Sequence, residues 1–150
     1  MFGWHKEDMD LYSINYLHAG YPKFWYGIDL RDNKKFEEYV HTTFEDDYKE
    51  CKEFIRHKNT LIHPRNLMQI GIRMKKATHY PGEFMVSRAV AYHSGFNSGY
   101  NLAEAVNFAL PSWIDLGRKA GICTCQNDSV QIDMKKFELN LNDENASESF

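Results

Sequence analysis

Near the start of the chain, His5 and Glu7 stand one residue apart in the run Phe2-Gly3-Trp4-His5-Lys6-Glu7. In extended backbone, residues two apart point to the same side, so an imidazole and a carboxylate project together. Joined by a second histidine, such a pair forms a 2-His-1-carboxylate set, which holds Fe(II) and leaves positions open for a co-substrate and O2. Alone the pair is a weak signal, and an ordinary surface couple is the simpler reading. The rest of the chain has to supply a third ligand and a cavity.

The elements that must position these residues follow from composition and pattern. At 150 residues, the chain builds one domain around one core. Hydrophobic residues make up 43% and aromatics 15%, a share that suits a sheet-rich interior. Net charge is −3, and the lysines are scattered, with only isolated pairs such as Lys34-Lys35 and Lys75-Lys76. That distribution argues against direct nucleic-acid binding and is compatible with a basic peptide partner. The sequence has no apolar run of the length a spanning helix needs, and no charged-then-apolar leader precedes His5, so no membrane association is expected. A metal-ligand strand this close to residue 1 has almost nothing before it to pair with. The expectation is that N-terminal strands of the domain lie outside this sequence.

Tyr12–His18 and Lys23–Gly27 have the aromatic and β-branched character of strands, separated by a turn at Ala19-Gly20 and Pro22. The second places Lys23 and Trp25 on one face. Asp32 is positioned to cap a helix with Phe36, Tyr39 and Val40 at helical spacing, and Glu45-Asp46-Asp47 opens another carrying Cys51, Phe54 and Ile55. Pro64 starts a short helical turn that ends near Gly71. Strand character returns at Glu83–Ser87 and Ala91–His93, and Gly95 and Gly99 bracket a loop. In 101–108, Asn101, Ala103, Ala105 and Asn107 alternate with Leu102, Val106 and Phe108. Small polar groups on one face and bulky ones on the other suggest a strand buried on both sides and lining a ligand cavity. A helix from Pro111 should bury Trp113, Leu116 and Ala120 and close at Gly121. No repeat or linker divides the chain. Residues 1–138 are read as the domain and 139–150 as a polar, disordered tail.

Two stretches, HKEDMDLYSINYLHAGYPKFWYG and GEFMVSRAVAYHSGFNSGYNLAEAVNFALPSWIDLGRKA, resemble the Jumonji-C histone lysine demethylases, in the branch that also carries a JmjN segment. The likeness runs from Phe2 to about Phe137. It implies a double-stranded β-helix related to the jelly roll, mostly β with flanking helices. By position, the iron ligands would be His5, Glu7 and His93, the last in AYHSGFNSGYN. The implied co-substrate is 2-oxoglutarate, its far carboxylate meeting Lys23, with Asn15, Phe2 and Trp25 around it. Without the resemblance, Lys23 would read as a strand-end lysine in solvent.

The implied chemistry is oxidative demethylation of methylated, including trimethylated, lysine in a histone H3 tail peptide, with release of formaldehyde and succinate. A nuclear location and a chromatin complex go with it. Ala105, Val106 and Asn107 match the wall where the methylammonium sits. The first two are apolar, as in the branch acting on lysine 4. The cysteines match the branch acting on lysines 9 and 36, whose Cys3His zinc site corresponds to Cys51, His57, Cys123 and Cys125. Three reduced cysteines of no special role are the plain alternative. Six residues along an unbroken helix turn roughly 240°, so Cys51 and His57 can share a metal only if the helix ends near Arg56. Two other functions fit the same motifs: a catalytically silent chromatin scaffold and a JmjC protein hydroxylase.

Overall fold

The computed structural model describes residues 1–125 and 129–142. Among these, seven strands form two antiparallel sheets: β1 (Phe2–His5), β2 (Tyr12–Gly20), β3 (Lys23–Ile28), β4 (Met74–His79), β5 (Phe84–Ser87), β6 (His93–Asn97) and β7 (Asn101–Phe108). One sheet has the order β1-β6-β3-β4 and the other β5-β2-β7. The helices are α1 (Asn33–Thr43), α2 (Glu45–Glu50), α3 (Pro64–Gln69), α4 (Ile114–Gly117) and α5 (Met134–Asn142). This is the mostly-β, jelly-roll-related architecture that the resemblance implies. No helix of the described residues is long and apolar enough to cross a membrane.

The apolar core lies outside the pair of sheets. Trp4, Ile28 and Tyr92 meet Phe36 and Val40 of α1, together with Phe54, Ile55, Leu67 and Ile72. The Trp4 indole N–H is satisfied by the Ile62 carbonyl at 2.9 Å, as a buried indole requires. A second cluster joins Met9, Leu11, Ala89 and Trp113, with Phe137 of α5 packed edge-on against Trp113. The space between the sheets gathers polar side chains, among them His5, Ser13, Asn15, Lys23, His93 and Asn107, beside the Phe2 and Trp25 rings.

Several elements differ from their sequence readings. Asp32 sits at the α1 N-terminus but does not cap it. Its carboxylate takes the Arg73 backbone N–H and guanidinium instead, at 2.6–2.8 Å. β4 escaped notice because Met74–His79 carries Lys75, Lys76 and Thr78 and shows no clean apolar alternation. β6 begins at His93 and runs through Gly95, where a loop was expected. The Pro111 helix is a 3-10 turn followed by the short α4. β7 is not buried on both faces: Leu102 and Val106 are 64% and 62% exposed, because nothing among the described residues covers that side of the sheet. Residues 139–142, read as the start of a tail, complete α5. Residues 143–150 lie outside the described residues.

β1 has neighbours on both sides. β6 pairs with one edge of β1, and on the other Gly3 N–H and Trp4 N–H donate to the carbonyls of Lys58 and Thr60 at 3.1 and 2.8 Å. The expectation of an unpaired first strand is corrected by these bonds. Gly95 lets β6 lie flat here, since a Cβ on it would collide with the Phe24 carbonyl oxygen and the Phe2 ring. Gly27, on the same sheet, faces open space. Gly95→Ala should therefore destabilise by ~1–3 kcal/mol through overpacking, whereas Gly27→Ala should change stability by less than about 0.5 kcal/mol. Equilibrium denaturant unfolding of the two variants checks this contrast.

Candidate active site and metal centres

Sheet register brings the predicted residues together. His5 is opposite His93, Gly27 opposite His93, Trp25 opposite Gly95, and Lys23 opposite Asn97. A register irregularity between Phe2 and His5 allows both to face inward although they are three apart, their rings 6.0 Å apart and edge-on. From the other sheet, Ser13 pairs with Asn107 and Asn15 with Ala105. Together these residues line a cavity of about 540 Å³ that holds Phe2, His5, Glu7, Asn15, Lys23, Trp25, His93, Ala105, Val106 and Asn107. Val106 borders it, but alternation along β7 turns its side chain to the far face, opposite Ile14.

Two lining residues were missed. Ser13 was within reach of sequence reasoning, because it precedes Asn15 by two on β2. Lys58 was not: it follows a 3-10 turn with a left-handed φ of 60°, so no periodicity points to it.

The nitrogen and oxygen atoms of His5, Glu7 and His93 lie within 4.8 Å of one another. Donors about 2.1 Å from one ion and at right angles lie about 3 Å apart, so small rotations suffice to share a cation. Each histidine bonds its Nδ1 to the main-chain carbonyl two residues earlier, Gly3 at 2.8 Å and Ala91 at 3.0 Å. A carbonyl only accepts, so Nδ1 carries the proton and Nε2 keeps its lone pair for a metal. Nε2 of His93 faces a Glu7 oxygen at 3.3 Å. A lone pair and a carboxylate face to face call for a cation between them: a metal ion or, without one, a proton on Nε2 that donates to Glu7.

Electrostatics agree. Burial, reinforced by His93, pushes the His5 imidazole down to about 4. Burial would raise Glu7, but the hydrogen bond and charge of His93, with help from Asn107 and His5, hold it at about 2. Both are thus in their metal-binding forms near pH 7.

At the far end, Lys23 is half-buried, and that burial lowers its ammonium below the ordinary lysine value. Lys23 donates to Asn97 at 2.8 Å. Asn15 Oδ1 and Trp25 Nε1 are buried without any hydrogen-bond partner, which marks the wall between Lys23 and the histidines as built for a polar ligand.

The four residues expected to form a Cys3His site also meet. Ligand atoms of Cys51, His57, Cys123 and Cys125 lie within 4.8 Å of one another, with Cys123 Sγ 3.2 Å from His57 Nε2 and 3.8 Å from Cys51 Sγ. The helix constraint is met by an early stop: α2 ends at Glu50, Cys51 is extended, and a 3-10 turn over Phe54–His57 brings the imidazole back. Burial and the neighbouring thiols push Cys51 up to about 12. Burial also acts to raise Cys123, but the Cys125 backbone N–H and His57 bring it down to about 7. Without a cation the cluster holds one thiolate readily and resists a second, so its chemistry suits a divalent ion that neutralises several.

The metal-free protein should be pH-sensitive through His5. A histidine lowered from 6.5 to about 4 contributes stability that is whole above pH 6.5 and is lost as pH falls towards 4. Between pH 6.5 and 5 that loss is up to ~2 kcal/mol. His5→Asn should flatten this part of the curve, read by denaturant unfolding of metal-free protein at both pH values.

Comparison with known proteins gives this site its context. The family model described as "JmjC domain, hydroxylase" matches residues 1–108. Over 136 residues, 91% of the chain, it is 48% identical to Lysine-specific demethylase 4B of Mus musculus and 46% identical to Lysine-specific demethylase 4D of Rattus norvegicus. It is also 46% identical to Probable lysine-specific demethylase 4F of Homo sapiens over the same share. The matched stretch spans 12%, 27% and 21% of those proteins' lengths. With two opposed histidines, an intervening carboxylate and this extent of match, the chain belongs to the JmjC family.

Proposed function

We propose that this chain is part of an Fe(II)- and 2-oxoglutarate-dependent demethylase acting on methylated lysine in a histone H3 tail peptide. One observation carries the reading: the His5–Glu7–His93 cluster and the Lys23 ammonium share a single cavity, with the unpaired Asn15 and Trp25 polar atoms along it. A short dicarboxylate suits such a cavity, one end at the metal and the other at the ammonium. The relatives named as lysine-specific demethylases support the same conclusion. Residues 1–138 are taken as the domain portion, and the parent protein as nuclear and associated with chromatin.

His5, Glu7 and His93 would hold the iron, which when bound supplies oxidation of an N-methyl group by O2 coupled to decarboxylation of 2-oxoglutarate. The chain's own contribution is placement. Lys23 anchors the far carboxylate of the co-substrate by a charge-assisted bond. Phe2 and Trp25 wall the pocket, their rings 5.2 Å apart, and limit water. Ala105 and Asn107, facing the cavity from β7, and the Val106 position beside them, border the space for a methylammonium. Because hydrogen leaves carbon and no nitrogen lone pair is needed, trimethyl-lysine is within reach. Zn2+ would sit in the Cys51–His57–Cys123–Cys125 cluster.

His93→Ala should reduce formaldehyde release from a trimethylated H3 peptide to background while zinc content stays at one per chain. Lys23→Ala should keep iron and weaken 2-oxoglutarate binding. The lost bond, roughly 1.5–3 kcal/mol, corresponds to about 10- to 150-fold in affinity. Excess co-substrate should rescue Lys23→Ala in part and never His93→Ala. A stable product heavier by one oxygen would identify a hydroxylase, and no product a scaffold.

Cys123→Ser should lose the zinc and lower the thermal transition, since structural zinc binding is folding free energy. Metal analysis beside calorimetry checks it, and zinc that survives the substitution sinks the assignment.

A further inference from the structure

The segment after Glu7 has an uncommon backbone. Met9 and Asp10 both have positive φ, 52° and 55°, a region that residues with a Cβ rarely enter. Two in succession persist only where the surroundings hold them. Trp113 Nε1 donates to the Met9 carbonyl at 2.9 Å, and Val90 N–H to that of Asp10 at 3.3 Å. The third hold is Arg56, whose side chain is 3% exposed.

Its guanidinium uses all three nitrogens. Nε donates to Glu53 at 2.9 Å, Nη2 to the Asp10 carboxylate at 2.7 Å, and Nη1 to the main-chain carbonyl of Glu7. The Glu7 carboxylate itself stays free to face His93. Arg56 is also next to His57 in the cysteine cluster, and the carbonyls of Lys58 and Thr60 hold the other edge of β1. The short stretch 56–60 therefore grips the metal strand at Gly3, Trp4 and Glu7 while its histidine faces Cys123.

We propose that Arg56 is a positioning residue of the His5–Glu7–His93 centre. By fixing the Glu7 carbonyl and the turn to Asp10, it aims the Glu7 carboxylate and joins that carboxylate to the Cys3His cluster one residue away. Arginine is required because only a planar fork of donors reaches three separated acceptors at once; a lysine offers one point charge. Groups that orient a metal ligand from behind affect metal affinity by 10- to 100-fold. This inference rests on the metal-centre reading above.

The test uses Co2+ added to the zinc-loaded chain, read by visible absorption. Arg56→Lys and Arg56→Gln should keep zinc, lower the thermal transition as the loss of a buried ion pair requires, bind Co2+ about 10- to 100-fold more weakly, and show altered bands. Glu53→Gln removes an Arg56 partner away from the turn and should bind Co2+ as wild type does. Wild-type affinity and spectrum in Arg56→Gln would overturn the inference alone; a wild type that takes up no Co2+ would overturn it together with the reading it rests on. If the Arg56 variants lose zinc or fail to fold, the Arg56 guanidinium 15N–1H resonances of the wild type decide. They should move when a second equivalent of diamagnetic Zn2+, added to the zinc-loaded chain, fills the centre, and unmoved resonances overturn the inference.

Discussion

The pairing of β1 with β6 is the constraint on which the site depends. It sets His5 opposite His93, and because side chains alternate along a strand, a slip of one residue would send His5 outward and Trp4 into the cavity. The register is held from both directions. Trp4 is locked into the outer core with its indole bonded to Ile62, and Phe2 lies against the one position, Gly95, where β6 has no side chain. The irregularity between Phe2 and His5 completes the arrangement, since it lets an aromatic ring and an imidazole share a face three residues apart.

Filling the space between the sheets with polar groups has an energetic consequence. A sandwich normally draws its stability from two inner faces packed together. Here those faces carry Ser13, Asn15, Lys23, Glu7 and two histidines, so apolar burial has moved outward, to α1 and the loops behind the four-stranded sheet. Asn15 Oδ1 and Trp25 Nε1 are buried there without a hydrogen-bond partner, a cost the surrounding packing has to carry. The scaffold is stable around the cavity and not because of it.

Much of this was legible in the residues. Alternation on β3 and β7 grouped Lys23 with Trp25 and Ala105 with Asn107, and the resemblance carried by the long motifs singled out Asn15, His5, Glu7 and His93. Three things were not legible, each for a physical reason. β4 hides because its lysines face solvent on a strand whose burial is decided by its partner β3. Burial of β7 was overstated because pattern shows which residues share a face and not whether anything lies over it. Lys58 and Arg56 gain their places from a 3-10 turn whose direction is set by contacts distant in sequence. Bulky residues at 102 and 106 look the same whether covered or bare.

The cysteine cluster also bears on the order in which the molecule comes together. Cys51 and Cys123 are 72 residues apart, so the cluster closes a long loop, which carries a large entropy debt and forms slowly unless nearer contacts shorten it first. The β2–β7 and β3–β6 pairings, both formed by residues before Cys123, shorten that loop in advance. During synthesis from the N-terminus, Cys123 emerges after every strand. The turn that secures the outer edge of β1 also carries His57, so the first strand and the far cysteines bear on the same short stretch of chain.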